Sequence, residues 1–178
     1  MSSANIDQAI ATRWRQKNCN ALFRQFWTNP AESKYHPLND TEARPNTPMP
    51  YCVYEKGTPI ADGRSTGSEC EPENEVEYWT LPITFRLHAK TPAQGEPHFG
   101  RTGKDILREI IGQSHPDGYG VLGAFDDYSG NLNLGGNDRH SQTITGPDFH
   151  TREDDDVWVW VLQFDIYFER RRQLRGVA

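Results

Sequence analysis

The sequence predicts an α+β domain with a mainly antiparallel, four-stranded sheet and two helices packed on one face. Apolar and polar residues alternate along Glu75–Ala89 and Val157–Glu169, a period of two that is typical of strands with one face in a core. Apolar residues recur at helical spacing in residues 5–27 and in Lys104–Gln113. The order helix, strand, strand, helix, excursion, strand favours helices on one side of an antiparallel sheet.

The composition favours one domain, residues 1–178, with loop insertions at 57–74 and 114–150. A chain of 178 residues can bury about 70% of the surface that its unfolded form exposes. Hydrophobic content is 35% and aromatic content is 11%, so we expect an aromatic core beneath long polar loops. The net charge of −6 argues against a general nucleic-acid binder, which needs a basic face to displace counterions from phosphates.

The three cysteines, Cys19, Cys52 and Cys70, show no CxxC spacing and are odd in number. This pattern is typical of a reducing compartment, with neither a disulfide framework nor a zinc knuckle. The first residues lack the basic start and apolar core of a signal peptide. Because no apolar run approaches the roughly 20 residues of a membrane helix, we expect synthesis and folding in the cytoplasm, without a membrane partner.

The first half of the chain is predicted to contain one helix and one short strand. Residues 5–27 form the helix, and Asn29–Pro30 ends it because proline cannot continue the hydrogen-bond ladder. A connection that contains five prolines runs from there to residue 50. Tyr51–Glu55 is the short strand, and residues 57–74 form a loop rich in Gly, Ser, Thr and Glu.

The strand predicted at Glu75–Ala89 contains a proline, Pro82. Because proline removes one donor from the ladder, we expect this strand to lie at an edge of the sheet or to be bulged there. An exposed edge of this length would favour pairing with another chain.

The second half is predicted to contain a helix, an excursion and a closing strand. The helix Lys104–Gln113 has four aliphatic residues on one face, and residues 114–150 form an irregular excursion or a weak hairpin. In the closing strand, the residues at even positions from Trp158 to Phe168 are all apolar. Trp158 and Trp160 belong to this set, so we expect both of them in the core. A long, hydrophobic strand of this kind suits a sheet that continues into a neighbouring subunit.

An acidic cluster precedes the closing strand and a basic cluster follows it. At about 3.3 Å per residue, the strand separates the two clusters by roughly 40 Å. Either cluster could be a solvated end of the strand, and the basic one could also bind an acidic partner or DNA. The candidate oligomer or partner interface consists of both clusters: Asp154, Asp155, Asp156, Arg170, Arg171 and Arg172.

Sequence motifs of catalysis are largely missing, so we expect no enzyme, no catalytic residues and no cofactor. His115-Pro-Asp117, with His140 or His150, is a weak counterpart of the facial triad of non-haem iron enzymes. The tripeptide follows a helix and is better explained as a turn. No phosphate-cradling glycine loop and no nucleophile elbow is present.

The segment Met49-Pro-Tyr-Cys-Val-Tyr-Glu-Lys-Gly-Thr-Pro59, which follows a proline-containing loop after the first helix, resembles the opening strand of the tail-completion, or tail-terminator, proteins of tailed phages. The rest of the chain is similar to this family in the order of its elements. A long strand ends at Lys90, a helix follows Gly103, and Val157–Arg170 closes the pattern. The excursion at 114–150 departs from the family, whose members are usually shorter.

The resemblance implies a structural protein of the virion, assembled in the host cytoplasm and located at the junction of head and tail. Such a protein forms a ring, typically a hexamer, that caps the tail tube, ends its polymerisation and joins it to the head or neck. Its partners are then its own copies, the tail tube protein and the neck or head-connector protein. Genomic DNA passes through the lumen, and the negative charge disfavours specific binding to it.

Three alternatives stay open at this point. A neck or head-completion adaptor ring requires the same parts but often has twelve-fold symmetry. A small metal-dependent enzyme would use His115 and Asp117. A protein that binds DNA ends would act through the arginines at 170–175, and its binding would weaken with salt.

Overall fold

The computed structural model describes residues 3–27, 38–39, 48–65, 74–112, 120–125, 132, 139–154 and 156–173. Within these ranges the chain forms four helices and six strands. In chain order they are α1 (Ser3–Gln16), α2 (Cys19–Arg24), β1 (Leu38–Asn39), β2 (Tyr51–Lys56), β3 (Ile60–Ser65), β4 (Asn74–Lys90), α3 (Gly103–Ile111), α4 (Gly120–Phe125), β5 (Arg139–Asp154) and β6 (Val157–Gln173).

The centre of the sheet is a long antiparallel ladder between β4 and β6. Its register runs without interruption from Asn74 opposite Gln173 to Lys90 opposite Val157. β5 pairs antiparallel with the other side of β6, and β2 and β3 pair antiparallel with the other side of β4. The two-residue β1 adds to β2 in parallel. The α+β class and the mainly antiparallel sheet are therefore confirmed, with β2, β4, β6 and β5 as its four main antiparallel strands.

Both long strands lie inside the sheet, so two predictions about edges are wrong. β4 is not an edge strand, and β6 cannot continue the sheet into a neighbour because β4 and β5 occupy both of its sides. Pro82 also leaves the β4–β6 register unbroken. The interruption lies in the neighbouring strand, where β2 ends at Lys56 and β3 begins at Ile60.

The geometry at Pro82 explains why the proline is tolerated inside the sheet. The Gly57 N–H donates to the Pro82 carbonyl oxygen at 2.8 Å. In a strand the N and O of one residue point to the same side, so the missing Pro82 donor is on the side of the β2–β3 junction. A Cβ on Gly57 would lie 2.9 Å from the proline ring, so glycine permits this close approach.

The core is an aromatic and aliphatic layer between one face of the sheet and the helices. Phe85, only 1% exposed, lies at its centre. Its ring centroid is 4.9 Å from that of Phe125, 5.5 Å from that of Phe164 and 6.4 Å from that of Trp14. These three rings come from α4, β6 and α1, so one β4 side chain joins the sheet to two helices.

Helix α3 and the closing strand pack as the sequence predicts. Ile106, Leu107, Ile110 and Ile111 are all buried. Trp160 is buried, and Trp158 is partly buried against the same core. Gly103 begins the helix where a Cβ would lie 2.7 Å from the Ala89 carbonyl oxygen and 2.7 Å from the Trp158 ring, so glycine lets α3 contact the sheet.

The first predicted helix is wrong in its continuity, because residues 5–27 contain two helices and not one. α1 ends at Gln16 and α2 begins at Cys19. Asn18 between them has φ 54° and ψ 32°, a left-handed conformation that asparagine tolerates better than most residues. The Trp14 Nε1–H donates to Asn20 Oδ1 at 2.5 Å, which fixes the angle between the helices. The predicted end at Asn29–Pro30 lies outside the described residues.

The two predicted insertions contain secondary structure, which corrects their description as loops. β3 lies within 57–74, and α4 and most of β5 lie within 114–150. α4, with six residues, is too short to show a helical period, and β3 and β5 lack regular alternation. Each of these strands pairs through its backbone with a long inner strand, which needs partners for its N–H and C=O groups. The remaining residues of both insertions lie outside the described ranges.

Two further observations bear on earlier expectations. In the part of the chain that the structure describes, no helix combines the length and apolar character needed to cross a membrane. Cys19 and Cys52 are buried and free, whereas Cys70 lies outside the described residues. Burial raises the pKa of the Cys19 thiol to about 12 and that of Cys52 well above its usual range, so both remain protonated and unreactive.

Replacing Phe85 with alanine tests the position of the core. We expect the free energy of unfolding to fall by about 3–5 kcal/mol, because the cavity would border three elements. Phe99→Ala is a matched control, since Phe99 is exposed, and its effect should stay within about 0.5 kcal/mol. Urea unfolding followed by tryptophan fluorescence measures both, and similar losses in the two variants would contradict this core.

Candidate interaction surfaces

The β4–β6 ladder has two ends that differ in chemistry. We call the end where Lys90 is opposite Val157 the hairpin end, because the β5–β6 turn lies there. We call the end where Asn74 is opposite Gln173 the arginine end. With 17 residues in each strand and a rise of about 3.3 Å per residue, the two ends lie roughly 50 Å apart.

The predicted acidic cluster forms the tip of the β5–β6 hairpin. Asp154 pairs with Val157, and Asp156 lies in the turn between β5 and β6; Asp155 lies outside the described ranges. Asp156 is exposed, and its carbonyl oxygen accepts a hydrogen bond from the Thr91 N–H at 2.7 Å. The acidic turn is therefore tied to the loop that follows β4.

The predicted basic cluster lies at the opposite end, so the structure does not bring the two clusters together. In the β4–β6 register, Arg170 is opposite Glu77 and Arg172 is opposite Glu75. Two of the three arginines are therefore opposite an acidic residue in the register, a placement that the sequence analysis missed.

Glu77 gives this end of the sheet a buried carboxylate. It is 2% exposed, and its Oε2 accepts a hydrogen bond from Trp79 Nε1 at 3.3 Å. Its register partners are Arg64 on β3 and Arg170 on β6. A buried carboxylate between two arginine positions is expected on physical grounds, because burial of an unpaired charge is costly.

The hairpin end has a feature that the sequence analysis passed over, an exposed aromatic side chain. Phe99 is 62% exposed in the loop of residues 91–102, which we call the Phe99 loop. Turn-forming backbone shapes the loop, since Gly95, His98 and Gly100 have φ values of 91°, 63° and 94°. In the sequence, the signal for this loop is a pair of glycines, Gly95 and Gly100, on either side of Phe99. Glycine readily adopts positive φ and therefore favours a turn at each of these positions.

Several contacts hold the Phe99 loop to the helices. His98 Nε2 donates to the Gln25 carbonyl oxygen at 2.8 Å, and its ring centroid is 5.0 Å from that of Phe26. The Arg101 guanidinium lies 5.8 Å from the centre of the Phe26 ring and forms an ion pair with Glu109 at 2.7 Å. Phe99 therefore projects from a supported loop, so little conformational entropy remains to be lost on binding.

A capping box at the start of α3 fixes the far end of the loop. Thr102 Oγ1 accepts a hydrogen bond from the Asp105 N–H at 3.2 Å, and Asp105 Oδ2 accepts one from the Thr102 N–H at 3.1 Å. The Thr102 hydroxyl also donates to Asp105 Oδ2 at 2.7 Å. These hydrogen bonds lower the pKa of the Asp105 carboxyl, because they favour its ionised form.

An apolar cleft of about 280 Å³ lies beside the Phe99 loop. Six of its eight lining residues are apolar, with Lys90 and Glu96 as the charged ones. The lining residues are Phe26, Met49, Pro50, Lys90, Pro92, Glu96, Pro97 and Ile106. The lining is therefore mostly apolar, with one basic and one acidic residue.

The residues of the metal hypothesis lie mostly outside the described ranges. No group of three His, Cys, Asp or Glu side chains within them could hold a metal ion. His115 and Asp117, the basis of the metal hypothesis, lie outside the described residues, and of His140 and His150 only the backbone in β5 is described. Burial and the negative charge of Asp62 raise the pKa of the Asp165 carboxyl; Asp62 lies on β3 and Asp165 on β6, with β4 between the two strands.

Comparison with known proteins adds no assignment. No protein-family model matches the chain, and no curated protein matches it at a significant level. The likeness to tail-terminator proteins therefore depends on the segment Met49–Pro59 and on the order of the elements.

Thr102→Val tests the support of the Phe99 loop by removing the capping hydroxyl at nearly constant volume. We expect a loss of about 1 kcal/mol in the free energy of unfolding at pH 7. Because folding lowers the pKa of Asp105, its stabilising effect is present above the unfolded pKa of about 3.9 and is lost as the pH falls through the folded value. The difference from the wild type should therefore shrink toward pH 3.

Urea unfolding at pH 7 and pH 3 measures this difference. Thr58→Val is the control, because Thr58 is an exposed threonine outside the helices and strands, and little change is expected at either pH. An equal loss for Thr102→Val at both pH values would contradict the coupling between Thr102 and Asp105.

Proposed function

We propose that this chain is a structural protein of a tailed-phage virion that forms a ring, six-fold in symmetry, at the end of the tail tube. The ring ends tube polymerisation and joins the tube to the head or neck. The observation that supports this proposal most is the unlike chemistry of the two ends of the β4–β6 ladder. An adaptor between two different partners requires two different contact surfaces, one at each end.

The hairpin end has the properties of a protein contact surface. Phe99 is largely exposed on a supported loop, and Asp156 and the apolar cleft lie at the same end. Aromatic side chains surrounded by polar groups are the usual anchors of protein interfaces. We assign this end to one axial partner, either the tube protein or the neck protein.

The arginine end is assigned to the other axial partner. Its register positions alternate acidic and basic residues across β3, β4 and β6. Because Glu77 among these residues is buried, we assign the contact to the consecutive arginines 170–172, whose charge suits an acidic partner and gives specificity and orientation more than affinity. The net charge of −6 supports passage of DNA without retention, since like charges repel phosphates.

A neck or head-completion adaptor is the second candidate, because unlike ends serve that role equally well. Symmetry separates the two. The terminator predicts six copies of a 20.4 kDa chain, a particle of about 122 kDa, whereas a connector-adjacent ring predicts twelve copies and about 245 kDa.

Native mass spectrometry over a concentration series tests the proposal. We expect a hexamer at high concentration, in equilibrium with monomer on dilution. Twelve copies would support the neck adaptor instead. A chain that stays monomeric at every concentration, and that does not bind assembled tail tubes in sedimentation, would contradict both roles.

Phe99→Asp separates the axial contact from ring formation within the same experiment. The exposed position leaves the fold intact, so we expect an unchanged native mass and weaker binding to the tube or neck protein by at least about tenfold. Phe99→Tyr is the conservative control and should bind as the wild type does.

A further inference from the structure

Besides the two-residue β1, which lies next to β2, two edge strands of the sheet could pair with further strands, and both have weak sequence signals. β5 borders the sheet on one side, and β3 borders the half of β4 nearest the arginine end on the other. Among the described residues, no strand pairs with the outer side of either one. Backbone N–H and C=O groups at such edges favour pairing with another chain.

The longest part of β5 with the regular backbone that accepts a strand is its first five residues. Arg139–Thr143 pairs with β6 at five consecutive positions. Beyond Thr143 the register shifts three times, and Pro147 interrupts the sequence. Bulges and proline are the devices with which sheet proteins prevent pairing at an edge, so β5 is protected in one half and regular in the other.

The regular part of β5 matches β3 in length and in position along the sheet. β3 has six residues and pairs with Val76–Thr80 of β4. Arg139–Thr143 is opposite Phe164–Phe168 of β6, which in turn is opposite Trp79–Ile83 of β4. Along the strand direction the two edge segments therefore overlap, and one is displaced from the other by about three residues, or roughly 10 Å. Strand tilt accommodates such a stagger when a sheet closes on itself.

The two edges also run in opposite directions. β3 is antiparallel to β4, whereas β5 runs in the direction of β4 because two antiparallel steps separate them. Rotation about an axis along the strands preserves these directions. It therefore brings β5 of one copy antiparallel to β3 of the next, which is the geometry of a head-to-tail ring.

Exposed apolar side chains mark the β3 edge. Ile60 is 57% exposed and Tyr78 is 42% exposed. Ile60 is opposite Thr80, and Tyr78 is opposite Gly63, a residue without a side chain to cover it. Because Thr80 and Tyr78 are two residues apart on β4, all three side chains share one face of the sheet. A strand added to β3 would cover part of this exposed surface.

We infer that successive copies of this chain join by edge pairing, in which β3 (Ile60–Ser65) of one copy lies antiparallel to Arg139–Thr143 of the next. The inference rests on the proposed ring and names the surfaces that build it. The edges then serve lateral contacts between identical copies, and the hairpin and arginine ends stay available for the axial partners.

Hydrogen exchange measured by mass spectrometry on the full chain, at concentrations where native mass spectrometry shows oligomer and monomer, tests the inference. In the oligomer, amides of peptides that cover residues 60–65 and 139–143 should exchange at least about tenfold more slowly than in the monomer. Peptides that cover 147–154 and the Phe99 loop should exchange equally in both states and are internal controls.

Ile60→Lys and Phe99→Lys form a matched pair of variants. Each places a lysine at an exposed apolar position, but only Ile60 lies on a proposed lateral contact. We expect Ile60→Lys to raise the concentration for half-maximal assembly by at least about tenfold, and Phe99→Lys to leave it unchanged.

The outcomes separate this inference from the proposed function. An oligomer in which both edge peptides exchange as in the monomer, or in which Ile60→Lys assembles normally, overturns edge pairing and leaves the ring. Protection of residues 139–143 without residues 60–65, in a dimer, indicates a two-fold β5–β5 contact and overturns it as well. If no oligomer forms in solution or on tail tubes, both proposals fail.

Discussion

The antiparallel ladder between β4 and β6 is the interaction on which the rest of the structure depends. Its register holds for the full length of both strands, and from Trp79 to Ala89 on β4 and from Trp158 to Phe168 on β6 every second residue is apolar, so the two strands form one apolar face over this part. Phe85 on β4 and Phe164 on β6 meet on that face, and α1 and α4 cover it through Trp14 and Phe125. Because both strands are interior, their ends, and not their edges, reach the surface.

This arrangement divides the surface into regions with different tasks. The ends of the ladder hold the Phe99 loop and acidic turn on one side and the alternating Glu and Arg positions on the other. Apart from the two-residue β1, the edge strands are β3 and β5, whose sequences are largely polar and lack regular alternation. An edge strand is held in the sheet by the hydrogen bonds of its backbone more than by burial of its side chains, so a polar sequence is sufficient to form one. A ring protein needs both kinds of surface, unlike ends for its partners and unlike edges for its own copies.

The sequence was sufficient for the elements whose side chains repeat with a clear period. β4, β6 and α3 follow from alternation or from a four-residue aliphatic face. β3, β5 and the break at Asn18 do not, because each is determined by backbone pairing or by one residue in a left-handed conformation. The prediction that Pro82 places its strand at an edge was wrong for a related reason. The effect of a proline on the hydrogen-bond ladder depends on whether its missing N–H is on a side of the strand that lacks a partner.

The candidate surfaces were predicted in part. The separation of the Asp154–Asp156 and Arg170–Arg172 clusters follows from the length of one strand. Their surroundings do not, because the placement of Arg170 opposite Glu77 requires the register between two residues that are 93 positions apart in the chain. Phe99 has no periodic neighbour, and its exposure depends on the contacts of His98 and Arg101 with the helices.

Electron cryomicroscopy of the assembled particle tests the central claim most directly, namely that copies join laterally and present unlike ends axially. The account predicts a closed ring with one rotational axis, in which every hairpin end lies on one face and every arginine end lies on the other. A particle with two-fold axes across the ring, so that both faces carry both ends, would contradict it.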